Sequence, residues 1–352
     1  MATRATDPLP PLDVNLSGFT GPDAGADQPF SKNPRKLWRV SRLGSPLELE
    51  QVRTARRSGF TGGKQRGSKL LVARAGMLSE LQKLLWAHVA GAPIADQRAV
   101  NAALAARVPR RSPAEAQRRS ELFSPEVEEQ LKQLPRGPRI LLVLQGMDAS
   151  GKGGVVKSVV GAMNPLGVDV AAFGRPTAAQ RRQHYLERVI AQLPEPGHVG
   201  VFDRSHYEDV LVPAVSGSHS EDQVAERVET LLLFEQELAR RGFVIIKVML
   251  HLSPQEQLAR LLSRLDSEHK QWKYDPSDAD ARAQADTYQR VYAALLEATD
   301  AAYAPWHIIP ADRKWYARLA VQELLIAALA DLNLRWPPAD YDIEAERRRL
   351  LE

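Results

Sequence analysis

An apolar run followed by a glycine-rich loop constrains this chain more than any other sequence feature. Residues 140–144 read ILLVL, and residues 146–154 read GMDASGKGG, which matches the pattern G-x-x-x-x-G-K. A run that is apolar throughout is typical of a parallel strand buried on both faces. The loop presents consecutive backbone N–H groups, and the helix predicted after it adds the positive end of its dipole. This segment is therefore predicted to bind phosphate.

The residues of this loop have separate predicted roles. Lys152 adds a mobile charge that can follow a transferred phosphoryl group. The Ser or Thr that usually follows this lysine and binds Mg²⁺ is Gly153 here, so we expect Asp148 to hold the metal instead. The alternative for Asp148 is a turn residue that caps local N–H groups. The predicted backbone ligands of phosphate are Gly146, Ala149, Ser150, Gly151, Gly153 and Gly154.

A second candidate metal ligand ends another apolar run. Residues 199–202 read VGVF, and Asp203 and Arg204 follow them. A carboxylate at a strand end beside a phosphate loop is where nucleotide-binding enzymes hold Mg²⁺, so Asp148 and Asp203 are the predicted magnesium ligands. Arg204 is expected to offset negative charge in the transition state. The acids at 208–209 are interpreted as first-turn residues that complement a helix dipole.

A basic segment after the fourth apolar run is predicted to be a lid. Residues 256–278 carry Arg260 and Arg264, which lie on one helix face because they are four positions apart. Lys270 and Lys273 follow among Pro and Asp turn signals. Mobile lids of this kind close over phosphates and exclude water. The alternative is a solvated amphipathic helix followed by a loop.

Apolar runs alternate with helical patterns from residue 139 onward. Such alternation predicts an α/β fold, with a parallel sheet covered by helices on both sides. Ligands of such sheets bind at the carboxyl ends of the strands. Strands are predicted at 140–144, 168–173, 199–202, 244–250 and 306–309, and helices at 154–163, 177–193, 221–241, 254–265, 278–303 and 313–332.

Composition shifts divide the chain into four predicted regions. The first is rich in Pro, Gly and Asp and is expected to be disordered or extended. The second has helical periodicity, and its part at 87–136 looks like an insertion with one helix over 113–134. The regions are an N-terminal arm at 1–45, a helical region at 46–138, a core at 139–335 and a C-terminal tail at 336–352.

Charge and composition indicate the class of ligand. The chain has 47 basic and 43 acidic residues, but seven basic residues and no acid lie between Arg53 and Arg74. A locally positive face suits an anionic ligand. Nucleic acid is not the expected partner, because the basic run lacks interleaved aromatic residues that would stack on bases.

Several other kinds of site are not expected. The chain has no cysteine, which excludes disulfides, thiolate metal sites and a cysteine nucleophile. Its eight histidines show no metal-ligand spacing. Neither a secretory signal nor an apolar run of membrane-spanning length is seen, so no membrane partner and a cytoplasmic location are predicted.

Taken together, these motifs resemble the polyphosphate kinase 2 family. The resemblance covers roughly 55–86 and 139–335. The segments that carry it are GFTGGK (59–64), LVLQGMDASGKGG (142–154), MNPLGVDVAAFGRPT (163–177), GVFDRSHYEDVLV (200–212), RLLSRLDSEHKQWKY (260–274) and YAPWHIIPADRKWYARL (303–319).

This resemblance implies a three-layer α/β/α kinase fold related to thymidylate kinases, with a five-stranded parallel sheet and a helical lid. It also implies dependence on Mg²⁺ and a polyphosphate channel lined by basic residues. By motif match, the catalytic residues are Asp148, Lys152, Asp203, Arg204 and Arg264, and further phosphate or nucleotide contacts are Lys64, Arg175, Arg260, Lys270 and Lys273.

The implied reaction is a reversible, direct in-line transfer from polyphosphate to AMP or ADP, in a homodimer or homotetramer. The chain departs from the family at 87–136, which looks longer than the family needs. It also departs at Glu187, where the family tends to have an aromatic residue. Two alternatives stay open: an ATP-dependent nucleotide kinase of the thymidylate type, and a protein that binds polyphosphate without catalysis.

Overall fold

A five-stranded, all-parallel sheet lies at the centre of the computed structural model, which describes residues 28–42 and 46–352. The strand order is β2-β3-β1-β4-β5. The predicted parallel α/β fold is therefore confirmed. The strands are β1 (Arg139–Gln145), β2 (Val168–Ala172), β3 (Val199–Asp203), β4 (Phe243–His251) and β5 (Trp306–Pro310).

The register of the central strands positions the two predicted motifs side by side. All seven residues of β1 are buried, as its uninterrupted apolar run predicts. Leu144 of β1 is paired with Asp203 of β3, and with Val248 of β4 on the other side. The loop after β1 and the turn after β3 therefore leave the same edge of the sheet, at the carboxyl ends of the strands.

Helices cover both faces of the sheet. They are α1 (Pro34–Leu37), α2 (Lys64–Ala73), α3 (Ala75–Gly91), α4 (Ile94–Ala106), α5 (Pro113–Leu122), α6 (Pro125–Gln133), α7 (Lys152–Ser158), α8 (Glu187–Ile190), α9 (Glu208–Ser216), α10 (Glu221–Arg240), α11 (Pro254–Leu265), α12 (Glu268–Gln271), α13 (Ser277–Ala283), α14 (Ala285–Thr299), α15 (Lys314–Ala330) and α16 (Ile343–Leu351).

The two faces of the sheet bury separate apolar cores. Leu142 and Ile246 point toward one core, which α2, α3, α7 and α15 cover. Leu141 and Ile245 point toward the other core, which α6, α8, α9, α10 and α14 cover. Successive strand residues face opposite sides of a sheet, so the uniformly apolar strands supply both cores at once.

The segment 87–136 is not a surface insertion throughout. It contains α4, and the single helix predicted over 113–134 is divided into α5 and α6. The division occurs because Ser124 accepts a hydrogen bond from the N–H of Val127 and Pro125 begins α6. Val127 and Leu131 of α6 are fully buried in the core. The second half of this segment therefore belongs to the fold itself.

The helix predicted over 177–193 is wrong for most of its length. Only a turn of 3₁₀ helix at 180–182 and the short α8 form there. The Nδ1 atom of His184 accepts a hydrogen bond from the N–H of Leu186 at 3.2 Å, and the Glu187 carboxylate accepts one from the N–H of His184 at 2.9 Å. These local bonds start a new helix at Glu187, in place of a continuous one.

The predicted N-terminal arm is also wrong where the structure describes it. Phe30 and Trp38 are buried, with their ring centroids 5.0 Å apart. Trp38 donates from Nε1 to the Tyr316 hydroxyl at 3.1 Å, and its carbonyl accepts from the N–H of Ile308 in β5 at 2.9 Å. Residues 28–42 are thus packed against the core, while 1–27 and 43–45 lie outside the described residues.

Two further findings concern the rest of the chain. The C-terminal tail contains an exposed helix, α16, whose first turn is capped by Asp342. In the part of the chain that the structure describes, no helix combines the length and apolar character that crossing a membrane requires.

Candidate active site

The phosphate loop, residues 146–152, adopts a backbone that its small residues allow. Gly146 and Gly151 have φ values of +140° and +111°, which side chains rarely tolerate. A Cβ on Gly146 would lie 2.7 Å from the carbonyl oxygen of Leu250. Ala149 also has a positive φ of 65°, an uncommon conformation for a residue with a side chain. Helix α7 begins at Lys152, the last residue of the loop.

Lys152 lies folded back over this loop. Its Nζ donates to the carbonyl oxygen of Gly146 at 2.7 Å. Burial lowers the pKa of Lys152, and the Asp148 carboxylate opposes that effect. The lysine charge therefore lies inside the loop. A bound phosphate would replace the carbonyl oxygens as the partner of this ammonium group.

Asp148 and Arg204 form an ion pair across the ends of β1 and β3. Nη2 of Arg204 donates to Oδ1 of Asp148 at 2.6 Å. Burial acts to raise the pKa of Asp148, but the charges of Lys152 and Arg204 together outweigh it, so that pKa lies below its ordinary value. The Asp148 carboxylate is therefore an anion that is available to bind a cation.

Arg204 has an unusual backbone that turns its side chain toward the phosphate loop. Its φ is +62°, in the left-handed region, and its N–H donates to the carbonyl oxygen of Leu144 at 3.0 Å. Asp203, the last residue of β3, lies within electrostatic reach of Lys152. The predicted catalytic residues Asp148, Lys152, Asp203 and Arg204 are thus brought together.

Two acidic residues that the sequence interpretation did not place in the site also lie there. Asp278, at the start of α13, is within hydrogen-bonding distance of Asp148 and accepts from Nη1 of Arg264 at 3.1 Å. Burial and the Asp148 charge raise the pKa of Asp278. Glu208 lies 3.9 Å from Arg204, and burial raises its pKa although Arg204 and Lys152 act against this. In the sequence, Glu208 reads as an ordinary first-turn acid and Asp278 as a turn residue at the end of the lid, so no local signal marked either of them as a site residue.

Arg264 lies at the site, as predicted, whereas Arg260 has a different role. All three guanidinium nitrogens of Arg260 are engaged by the protein. Its Nη1 donates to the carbonyl oxygens of Ala149 and Ser150 at 3.0 and 3.1 Å, and its Nη2 donates to those of Ala311 and Asp312 at 2.7 and 3.0 Å. Glu256 accepts from its Nε at 2.8 Å. The prediction that Arg260 binds phosphate is contradicted, because this buried side chain ties the phosphate loop to the end of β5.

The remaining predicted cations are exposed. Hydrogen bonds from Ser277 lower the pKa of Asp275 in the lid, and the nearby charge of Arg175 lowers it further. Lys273 holds its ammonium group 5.0 Å from the centre of the Trp272 ring. The exposed predicted cations are Lys64, Arg175, Lys270 and Lys273.

Two further basic residues from α15 lie beside the phosphate loop. A Cβ on Gly154 would lie 3.0 Å from Nη2 of Arg318. Burial and the charges of Arg260, Arg318 and Lys270 lower the pKa of Lys314. A basic patch of Lys270, Lys314 and Arg318 therefore forms between the lid and the start of α7, and α15 brings two of its members from more than 150 positions downstream of the loop.

The acidic residues fit a magnesium ion. Among the described residues, no three acidic or histidine side chains are grouped closely enough to hold a metal. Mg²⁺ usually takes only one or two protein carboxylates and keeps several waters. The Asp148 and Asp278 carboxyl groups, at hydrogen-bonding distance, offer oxygen ligands of that kind.

Residues 112–336 match the family model described as polyphosphate kinase 2 (PPK2). The chain belongs to the polyphosphate kinase 2 family. The resemblance seen in the sequence is thereby confirmed. Among curated relatives, an AMP/ADP-polyphosphate phosphotransferase of Meiothermus ruber is 41% identical over 199 residues, or 56% of this chain and 74% of that protein. An ADP-polyphosphate phosphotransferase of Rhodopseudomonas palustris is 34% identical over 60% of this chain and 77% of that protein.

A solved PPK2 structure extends the similarity to almost the whole chain. Polyphosphate kinase 2 from Arthrobacter aurescens TC1 superposes with a TM-score of 0.75 at 39% identity, covering 92% of this chain and 98% of that chain. The residues left unmatched are fewer than those in the segment 87–136. At least part of that segment therefore has a counterpart in another PPK2 protein.

Proposed function

We propose that this protein transfers a phosphoryl group between inorganic polyphosphate and a nucleoside mono- or diphosphate, with Mg²⁺. The observation that carries the proposal is the convergence of Lys152, Arg204 and Asp148 at adjacent strand ends of a PPK2-family fold. Relatives named for polyphosphate transfer to AMP and ADP support the choice of substrates.

The proposed chemistry is direct in-line transfer without a covalent enzyme intermediate. A terminal nucleotide oxygen attacks the end phosphorus of polyphosphate, and the bond to the next bridging oxygen breaks. Lys152 and Arg204 stabilise the charge that spreads over the transferred group, and the loop N–H groups orient it. The reaction exchanges one phosphoanhydride for another, so concentrations set its direction.

Magnesium would be held by Asp148 and Asp203 as the motifs predict, with Asp278 of the lid as a further oxygen ligand beside Asp148. When bound, the ion neutralises phosphate charge and orients the phosphates. The role of Arg264 in this proposal is to hold Asp278 on the lid, through the 3.1 Å bond to its carboxylate.

The basic patch supports a path for the polymer. Lys270, Lys314 and Arg318 lie close to one another at the start of α7, and Lys64 is exposed at the start of α2. Successive phosphates of a chain need repeated cationic contacts of this type. Arg175, near the lid residue Asp275, is the proposed contact of the acceptor nucleotide. A homodimer or homotetramer, no nucleic-acid or membrane partner, and a cytoplasmic location stay predictions.

The test is a transfer assay with purified protein, Mg²⁺ and long-chain polyphosphate, in which AMP and ADP are offered separately and the nucleotides are resolved by chromatography. ATP formed from ADP alone supports a diphosphate-specific enzyme, and ADP followed by ATP from AMP supports the broader substrate range. Phosphorylation only when ATP is the donor would favour a thymidylate-type kinase. Polyphosphate binding without turnover would favour a binding protein.

Lys152→Ala is the matched variant for this assay. It should lose transfer while keeping the thermal unfolding temperature near that of the wild type, because the fold around Lys152 rests on the packed sheet. Unchanged transfer by this variant would overturn the assignment of the site.

A further inference from the structure

The turn after β3, residues 204–207, has one residue that faces the site and three that face inward. Arg204 reaches Asp148, whereas Ser205, His206 and Tyr207 are almost completely buried. Ser205 is bonded to the Gln145 side chain of β1 at 3.0 Å. The conformation of Arg204 therefore depends on how the three residues after it are anchored below the sheet edge.

The deeper anchor is a buried ion pair. Lys247 of β4 and Glu235 of α10 are both fully buried, and Nζ of Lys247 donates to Oε2 of Glu235 at 2.6 Å. The Tyr207 hydroxyl lies between them: it accepts from Lys247 at 2.9 Å and donates to Oε1 of Glu235 at 2.8 Å. Nε2 of His206 lies 3.3 Å from the same Glu235 oxygen. The Glu235 carboxylate of α10 thus contacts both β4 and the turn after β3.

Stability alone is a weak reason for such a pair. Removing two charges from water is costly, and apolar residues of similar size often serve a core equally well. Arg204, in turn, has a left-handed backbone that persists only where the surroundings hold it in place. The pair and the strained residue are connected through the three turn residues 205–207, and two of these, His206 and Tyr207, bond to Glu235.

We propose that Glu235 and Lys247 are positioning residues for phosphoryl transfer. They hold His206 and Tyr207, and through them keep the Arg204 guanidinium at the place where charge develops. This inference rests on the proposed function. It predicts that loss of the pair lowers turnover while the affinity for polyphosphate and nucleotide stays nearly constant, because Arg204 then points away from the transition state.

The first experiment compares Glu235→Gln with Glu237→Gln. Both carboxylates are buried on α10, but Glu237 is paired with Arg111, Arg119 and Arg241 and has no bond to the turn after β3. In the polyphosphate–ADP assay, Glu235→Gln should lower kcat on the order of 10–100-fold with KM changed less than about threefold. Glu237→Gln should keep kcat within about twofold, although it also loses a buried charge.

The second experiment is a double-mutant cycle with Arg204→Ala. If the pair acts through Arg204, adding Glu235→Gln to Arg204→Ala should change kcat little beyond the Arg204→Ala loss. Losses that multiply independently would overturn the proposal. Tyr207→Phe provides a milder variant, since it removes the bridging hydroxyl and leaves Lys247 bonded to Glu235; it should lower kcat several-fold with an unchanged KM.

The outcomes separate this proposal from the proposed function. Wild-type protein that transfers no phosphoryl group would refute the function. Wild-type activity together with equal kcat values for Glu235→Gln and Glu237→Gln would refute only the positioning role. If Glu235→Gln does not fold, Tyr207→Phe decides the question: a kcat equal to that of the wild type would overturn the proposal.

Discussion

The Arg204 guanidinium donates to Oδ1 of Asp148 at 2.6 Å and so links the turn after β3 to the phosphate loop. In this arrangement the proposed transition-state cation is neutralised by the proposed metal ligand. A bound phosphate would offer Arg204 a new partner of opposite charge, and Mg²⁺ would do the same for Asp148. The charges of Arg204 and Asp148 therefore offset each other before substrates enter.

Replacement of Arg204 tests its role directly. Arg204→Ala should lower kcat on the order of 100–1000-fold, because the guanidinium stabilises charge that develops only in the transition state. KM for polyphosphate should change much less. Steady-state kinetics in polyphosphate and ADP check this, and a large rise in KM with constant kcat would assign Arg204 to ground-state binding.

Asp278 of the lid should take part in magnesium binding. Asp278→Asn removes one of two adjacent carboxyl groups, so the Mg²⁺ concentration for half-maximal binding should rise by roughly tenfold. The readout is Mg²⁺ titration by calorimetry without substrates. Asp280→Asn is the matched control, since Asp280 lies on the same helix and is exposed. Equal affinities for the two variants would contradict the prediction.

Substitutions of Arg260 and Lys270 should affect different properties, namely stability for Arg260 and polyphosphate binding for Lys270. Arg260→Gln leaves buried carbonyl oxygens of the phosphate loop and the end of β5 without donors, so the free energy of unfolding should fall by about 2–4 kcal/mol. Lys270→Gln removes an exposed cation of the basic patch, and should weaken polyphosphate binding with little change in stability. Urea unfolding and a binding titration on both variants distinguish the roles. A stable Arg260→Gln protein with weakened polyphosphate binding would restore Arg260 as a phosphate ligand.

Glu237 should make stability depend on pH in the acid range. Burial acts to raise its pKa, but hydrogen bonds and charges from Arg111, Arg119 and Arg241 lower the pKa of Glu237 to about 2, from its ordinary value of 4.5. The unfolded state therefore binds more protons between these values, and the contribution of Glu237 to stability is present above the unfolded pKa and is lost as pH falls toward the folded one.

That contribution is on the order of 1–3 kcal/mol. The difference in free energy of unfolding between wild type and Glu237→Gln should be largest at neutral pH, and should shrink as pH falls from about 5 toward about 2. Urea unfolding across this range measures it. A difference that stays constant with pH would show that Glu237 gains nothing from its arginine partners.

Much of the fold and part of the site could be predicted because local rules act on them. The uninterrupted apolar run of β1 indicates a strand buried on both faces, and the loop spacing places Lys152 at a helix start. Asp148, Asp203 and Arg204 follow from the same rules, because strand ends of a parallel sheet meet at one edge. The predicted helix over 177–193 failed where the His184 and Glu187 side chains compete with helical backbone bonds.

Local patterns of residue type established the α/β class, the phosphate loop and the family of this protein. A phosphate loop and a buried strand each require particular residue types at neighbouring positions, so both can be read from the sequence. They did not establish which cations face the site. Arg260 and Arg264 share a helix face, yet one binds backbone carbonyls and the other a lid carboxylate. Asp278, Glu208, Arg318 and the Glu235–Lys247 pair depend on contacts between distant segments. Packing in three dimensions alone brings such groups together, so their roles became visible only in the folded structure.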